Sequence, residues 1–301
     1  MTGYRLAAVM FGLLAFSSAG AALGQVPPDI AAKIRAAGPK IDLSIMQLYT
    51  PLQPKEPYAG VAVVRDVVYG ADPLQKLDVF SPTAGGRARP VLLFVHGGGF
   101  TRGDKRQTDN MLVWGVDHGM VGIDIDYRLA PKDPWPAGAQ DLASAIAWTK
   151  ANIARYGGDP NRIFLWGHSA GANHVADYVA HPELQGPGGP GVAGAILMSG
   201  IYDPMPAPNT YYGADPATVA GLASKPGLLR THVPLMVINA ELDPAMMVSS
   251  GKALDDDLCK AGRCPTFLLA KDHDHLSEGL AVGTADVSVS GPVLEFIQTT
   301  P

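Results

Sequence analysis

The sequence predicts an α/β fold, a mostly parallel sheet flanked by helices, with a small N-terminal arm or lid. Short apolar runs alternate with amphipathic stretches from about residue 60 to residue 300, and repeated strand, helix, strand units build a doubly wound sheet. The later runs, such as PVLLFV, RIFLW and VPLMVIN, are apolar throughout rather than alternating. That is the pattern of strands covered on both faces. No solenoid-period repeat or low-complexity linker divides the chain. At 301 residues, 47% hydrophobic and 17% charged, it reads as one domain over 25–301.

Taken in order, residues 1–24 have the layout of a secretory signal: Arg5, an apolar run over 6–16 broken by Gly12, then small residues ending Ala22-Leu23-Gly24. Cleavage after Gly24 leaves Gln25 first. The apolar run falls short of the ~20 residues that span a bilayer, so the expectation is a secreted or periplasmic chain with no membrane span in the mature form. Residues 25–60, rich in Pro and Ala with weak periodicity, form the arm or lid. Strands are expected at VAVVRDVVYG, KLDVFSP, PVLLFVHGG, MVGIDIDYRL, RIFLWGH, GVAGAILMSG, VPLMVINAE and PTFLLA, and helices over 140–156, 170–180, 249–260 and 293–298. Residues 202–230 interrupt the alternation, as a loop over the site or as a plain connection.

A net charge of -5 offers no basic face for neutralising phosphates, so no nucleic-acid partner is expected. In an oxidising compartment Cys259 and Cys264, at either end of the turn LCKAGRCP, are a possible disulfide closing a very short loop. Two free thiols are the alternative; no accompanying Cys/His set makes them a zinc site.

The run RIFLWGHSAGANHVADYVA reads as a buried strand, a sharp turn at Gly167-His168-Ser169-Ala170-Gly171 and a helix. A serine on a strained strand-to-helix turn projects its hydroxyl above the sheet, and small flanking residues let the neighbouring backbones close in. The Ala170 N–H, at the positive end of the new helix, points where an oxyanion would form. A lone GxSxG is a weak signal in a chain of 35 glycines; its place after a strand and before a helix strengthens it. Upstream, His96-Gly97-Gly98-Gly99-Phe100 follows the strand VLLFV, and its glycines let backbone N–H groups approach a substrate.

HGGGF and GHSAG, with DYRLAP at 126–131 between them, resemble the hormone-sensitive-lipase-like branch of the α/β-hydrolases, alongside carboxylesterases and bacterial feruloyl-type esterases. The resemblance covers about residues 60–300. It implies an oxyanion hole of Gly98, Gly99 and Ala170, and architectural roles for Asp126 and Arg128.

Activating the serine needs a base oriented by an acid, in chain order Ser, Asp or Glu, His. Glu241 and Asp243 both follow the strand VPLMVIN. Resemblance to the family's DP pattern favours Asp243, with Glu241 in reserve or as a loop carboxylate. His273 and His275 both follow PTFLLA. The resemblance favours His275, because HLS matches the family's pattern after the base and HDH does not; His273 is then a loop imidazole or a hydrogen bond behind the base. Of the rest, His96 is expected to position the glycine loop, His168 to pack, His174 to lie along the following helix, and His118, His181 and His232 to sit at the surface.

The implied catalytic set is therefore Ser169, Asp243 and His275, with no cofactor and no metal. The implied function is hydrolysis of carboxylic esters, short-chain or aromatic by family analogy, with small-molecule esters as partners. Amide or peptide cleavage on the same triad is a rival, as is a non-catalytic binding protein on this fold. Phe100, Tyr211 and Tyr212 are candidates to line an acyl pocket, although aromatic residues near loops more often pack.

Overall fold

The computed structural model describes residues 25–207 and 210–301; the secretory signal expected at 1–24 lies outside the described residues. The arm begins with α1 (Pro28–Ala37) and continues through a 3₁₀ turn, α2 (Met46–Tyr49) and a second 3₁₀ turn. Then come β1 (Val61–Val68), β2 (Lys76–Pro82), β3 (Arg89–Val95), α3 (Asp109–Asp117), β4 (Val121–Ile125), α4 (Ala137–Asn152), β5 (Gly158–His168) and α5 (Ala170–Ala180). The second half runs β6 (Gly194–Met198), α6 (Pro216–Gly221), α7 (Lys225–Leu228), β7 (Leu235–Leu242), α8 (Ala245–Lys260), β8 (Thr266–Asp274), α9 (Ser277–Leu280) and α10 (Ser290–Thr299).

The eight strands form one sheet in the order β1-β2-β4-β3-β5-β6-β7-β8. The β1–β2 and β2–β4 pairs are antiparallel and the others parallel. Because successive side chains of a strand face opposite ways, the apolar runs divide between two cores. Leu93, Val95, Ile123, Leu165, Leu197 and Val237 pack against α4, α5 and α8 on one face. Leu92, Phe94, Phe164, Trp166, Ile196 and Ile238 pack against α3 and α10 on the other. A strand in this sheet therefore needs an apolar residue at every position, which is why these runs do not alternate.

Several boundaries differ from the sequence expectation. β5 starts at Gly158, ahead of RIFLWGH, β8 continues past PTFLLA to Asp274, and α8 begins at Ala245. α3 was not anticipated: Asn110 to Val116 are all buried, so DNMLVWGVD has no polar face to mark a helical period. The segment over 202–230 is a connection containing α6 and α7, tied at its ends by Lys225 N–H donating to the Tyr202 carbonyl at 3.1 Å.

The arm buries Ile30, Ile34, Ile45 and Tyr49 against Leu242, Leu276 and Leu280, so it braces the segment that follows β8. Arg35 pairs with Asp272, and Gln53 donates to the Leu280 carbonyl. Cys259 and Cys264 flank the turn from α8 to β8 with Cα atoms 4.1 Å apart and their sulfurs at bonding distance. Among the described residues no helix is long and apolar enough to cross a membrane.

Candidate active site

The site lies at the carboxyl ends of the parallel strands, where open α/β sheets place their ligands. β5 ends at His168 and α5 begins at Ala170, so Ser169 alone makes the turn, at φ 54° and ψ -121°. This left-handed conformation is costly for a residue with a Cβ. It persists because the chain is pinned on both sides: Ser169 N–H donates to the Met198 carbonyl at 2.8 Å, and its own carbonyl accepts from Asn173 N–H at 3.2 Å. The elbow also requires glycine at its flank, since a Cβ on Gly171 would stand 2.0 Å from the Val95 carbonyl oxygen.

The glycine loop after β3 runs beside the elbow; a Cβ built on Gly97 would lie 3.0 Å from the Ser169 Cβ. His96 fixes its start. The His96 ring stacks on Tyr127 at 4.4 Å, its Nδ1 meets the Gly97 carbonyl at 2.6 Å, and its carbonyl accepts from Tyr127 Oη at 2.8 Å. Burial lowers the pKa of His96, which fits a neutral ring donating from Nδ1. Phe100 fixes the loop's end, stacked on Tyr211 at 4.8 Å and edge-on to Tyr212 at 5.5 Å and His174 at 5.4 Å. Tyr211 and Tyr212 are buried packing residues. Among the described residues no backbone or side-chain acceptor takes the N–H of Gly98, Gly99 or Ala170, so all three donors remain for a ligand.

Register brings acid and base together. Leu242 of β7 pairs with Asp274 of β8, so the residues that follow, Asp243 and His275, emerge side by side. His275 Nδ1 donates to Asp243 Oδ1 at 2.8 Å. A proton held on Nδ1 leaves Nε2 with the lone pair a general base needs. The other oxygen, Oδ2, accepts from Ala240 N–H at 3.0 Å, Asn239 Nδ2 at 3.3 Å and Ser199 Oγ at 2.5 Å. Burial opposes the charge on Asp243, but hydrogen bonds from His275, Ser199 and Asn239 outweigh it and hold its pKa below the ordinary 3.8.

The alternatives lie elsewhere. Glu241 is exposed and accepts from Asp272 N–H at 2.9 Å. His273, still within β8, is buried between Ser277 Oγ at 3.1 Å, Ser288 Oγ at 2.9 Å and Asp286 Oδ2 at 3.3 Å. Asp126 receives Lys105 N–H at 2.8 Å, and Arg128 grips Asp141 through Nε and Nη2 at 2.9 and 2.7 Å.

Sequence reasoning missed four contributors. His168 does more than pack: its Nε2 donates to the His275 carbonyl at 2.8 Å with the rings 4.7 Å apart. Burial, reinforced by His275, pushes its pKa down to about 3, so it acts as a neutral donor. Ser199, just after β6, and Asn239 of β7 bond the acid directly, and Glu278 of α9 reaches it through Ser199; only the positive φ of 55° at Ser199 sets any of them apart locally. The ligand-type atoms of His168, His275 and Glu278 lie within 4.8 Å of one another. His168 Nε2 and His275 Nδ1 already hold hydrogen bonds.

The sequence and the fold are similar to those of known proteins. The BD-FAE family model matches residues 77–183, a span that carries the glycine loop, DYRLAP and the elbow. Esterase LipQ of Mycobacterium tuberculosis is 31% identical over 263 residues, covering 78% of this chain and 62% of LipQ. The chain has the α/β-hydrolase fold. Carboxylesterase NlhH of Mycobacterium tuberculosis is 29% identical over 219 residues, covering 69% of this chain and 63% of NlhH. The chain thus spans less than two thirds of the length of these curated relatives. The solved structures share the fold: a thermostable esterase from Pseudomonas putida has a TM-score of 0.66 at 19% identity, covering 92% of this chain and 98% of that one. Esterase B from Lactobacillus Rhamnosis has a TM-score of 0.70 at 19% identity, covering 90% and 94%.

Proposed function

We propose that this α/β-hydrolase is a serine carboxylesterase acting through an acyl-enzyme on Ser169. The observation that carries the reading is the 2.8 Å His275–Asp243 pair, set by strand register at the same carboxyl end of the sheet as the elbow. Ser169 Oγ attacks the ester carbonyl while His275 Nε2 takes its proton. The oxyanion forms against the N–H groups of Gly98, Gly99 and Ala170, donors whose contribution is about 3–4 kcal/mol each in well-organised sites. His275 returns the proton to the leaving alcohol, and Asp243 stabilises the imidazolium. Water, activated by the same imidazole, then releases the acid.

Short-chain or aromatic esters are the proposed substrate class, in keeping with the resemblance and with the names esterase and carboxylesterase borne by the relatives. The test is stoichiometric labelling by an active-site phosphonate together with p-nitrophenyl acetate turnover. Ser169→Ala is expected to abolish both; turnover equal to wild type removes Ser169 from its role. Export to an oxidising compartment, with a Cys259–Cys264 disulfide, belongs to the same proposal. It predicts that the mature N-terminus is Gln25 and that no thiol reacts with an alkylating reagent before reduction.

A further inference from the structure

Ser199 Oγ lies 2.5 Å from Asp243 Oδ2 and 2.5 Å from Glu278 Oε1. A hydroxyl carries one proton, so it donates to one carboxyl only and the second contact needs a proton from the other side. Asp243 does not supply it: Oδ1 already accepts from His275, and Oδ2 from Ala240 N–H and Asn239. Glu278 is fully buried, and among the described residues it has no cationic partner and its Oε2 has no hydrogen-bond partner. The nearest imidazole nitrogen, His168 Nε2 at 3.5 Å, donates its proton to the His275 carbonyl instead. An ionised Glu278 would place a second bare charge beside Asp243.

We propose that Glu278 is a positioning residue that works as a neutral acid, its O–H donating to Ser199 Oγ so that the Ser199 proton is directed onto Asp243. The result is a hydrogen-bonded chain from Glu278 through Ser199 and Asp243 to His275. Glu278 lies three residues beyond His275, so the chain closes into a ring through the backbone of 275–278 and ties the base loop to the ends of β6 and β7. Asp243 is thereby held with one oxygen reserved for the imidazole. The groups facing Glu278 are Asp243 and Asp274, His168 and His275, and the buried phenol of Tyr202. Burial first and the Asp243 charge second push the Glu278 carboxyl well above its ordinary range.

This inference rests on the triad reading, and the experiment separates the two. Turnover of p-nitrophenyl acetate by the full chain is measured for Glu278→Gln, Glu278→Ala, Ser199→Ala and the two double variants, alongside Ser169→Ala. A glutamine N–H donates as the acid O–H does. Glu278→Gln is therefore expected to lose less than about fivefold in kcat, and Glu278→Ala about 10–100-fold with KM nearly constant, the scale of a hydrogen bond to a charged group. In the Ser199→Ala background, where the chain is already cut, Gln and Ala at 278 are expected to behave alike.

Equal losses for Gln and Ala in the wild-type background, or losses that simply multiply with Ser199→Ala, overturn the proposal. Turnover that survives Ser169→Ala overturns the triad reading instead. Infrared difference spectra of wild type against Glu278→Gln at neutral pH give an answer that does not depend on the folding of the alanine variant. A protonated-carboxyl carbonyl band present in wild type and lost in Glu278→Gln is expected, and its absence from the difference spectrum refutes a neutral Glu278.

Discussion

Gly98 and Gly99 carry equal weight in the glycine loop, yet the structure predicts unequal consequences for replacing them. Gly98 sits at φ +125° and an added Cβ would stand 1.8 Å from the Arg102 carbonyl oxygen, whereas Gly99 at φ +61° meets nothing within 4 Å. Arg102 offers backbone to the clash, so relief requires the 97–103 loop to open by about 1.5 Å before ordinary contact is restored. Holding an alanine at that φ costs about 1–3 kcal/mol in addition. A displacement of that size takes an oxyanion donor out of hydrogen-bond range, and one lost donor is worth about 10²–10³ in kcat.

Gly98→Ala is therefore expected to lower kcat on p-nitrophenyl acetate about 10²–10³-fold with little change in KM, and to lower Tm by about 2–10 °C. Gly99→Ala pays only the left-handed strain of about 1–2 kcal/mol and is expected to lose less than about tenfold in kcat. Steady-state kinetics and thermal unfolding on both variants make the comparison. If Gly98→Ala keeps kcat within about twofold of wild type while Tm falls, this loop does not hold the oxyanion donors. If the two variants lose activity equally, backbone strain and not the Arg102 contact is responsible.

Two further perturbations probe the surroundings. Tyr211→Ala removes the ring stacked on Phe100 at 4.8 Å and leaves the Gly138 N–H without the hydroxyl it meets at 3.1 Å. The expected loss is about 3–5 kcal/mol by denaturant unfolding; a loss under about 1 kcal/mol contradicts a packing role. Asp177 is buried beneath Ser224 and Tyr212, and burial, partly offset by the Ser224 hydrogen bond, raises its pKa from 3.8 to about 6. Because the folded value lies above the unfolded one, its contribution is most favourable below 3.8 and is lost as pH rises through 6. The difference is about 3 kcal/mol, so Asp177→Asn is expected to gain stability relative to wild type between pH 4 and pH 7, read as the change in Tm difference. A pH-independent difference refutes the assignment.

Much of the fold was legible because its signals are local. Apolar runs for two-sided strands, the GHSAG turn between a strand and a helix, and the glycines after VLLFV need only neighbouring residues to be read. α3 escaped because burial nearly all round erased its helical period. The choices between Glu241 and Asp243, and between His273 and His275, rested on family resemblance. Each candidate pair lies two residues apart in similar surroundings, and the sequence does not mark where the strand ends.

Neighbouring residues along the chain are enough to establish the alternating architecture, the elbow that exposes Ser169 and the chain order in which an acid and a base must follow. Which acid meets which base emerges on folding alone, because it depends on Leu242 standing opposite Asp274 across two strands. The ring through Ser199 and Glu278 is likewise invisible along the chain. Its members lie 44 and 79 residues apart, and a buried carboxyl becomes a hydrogen-bond donor only when its neighbours withhold both water and a counter-charge.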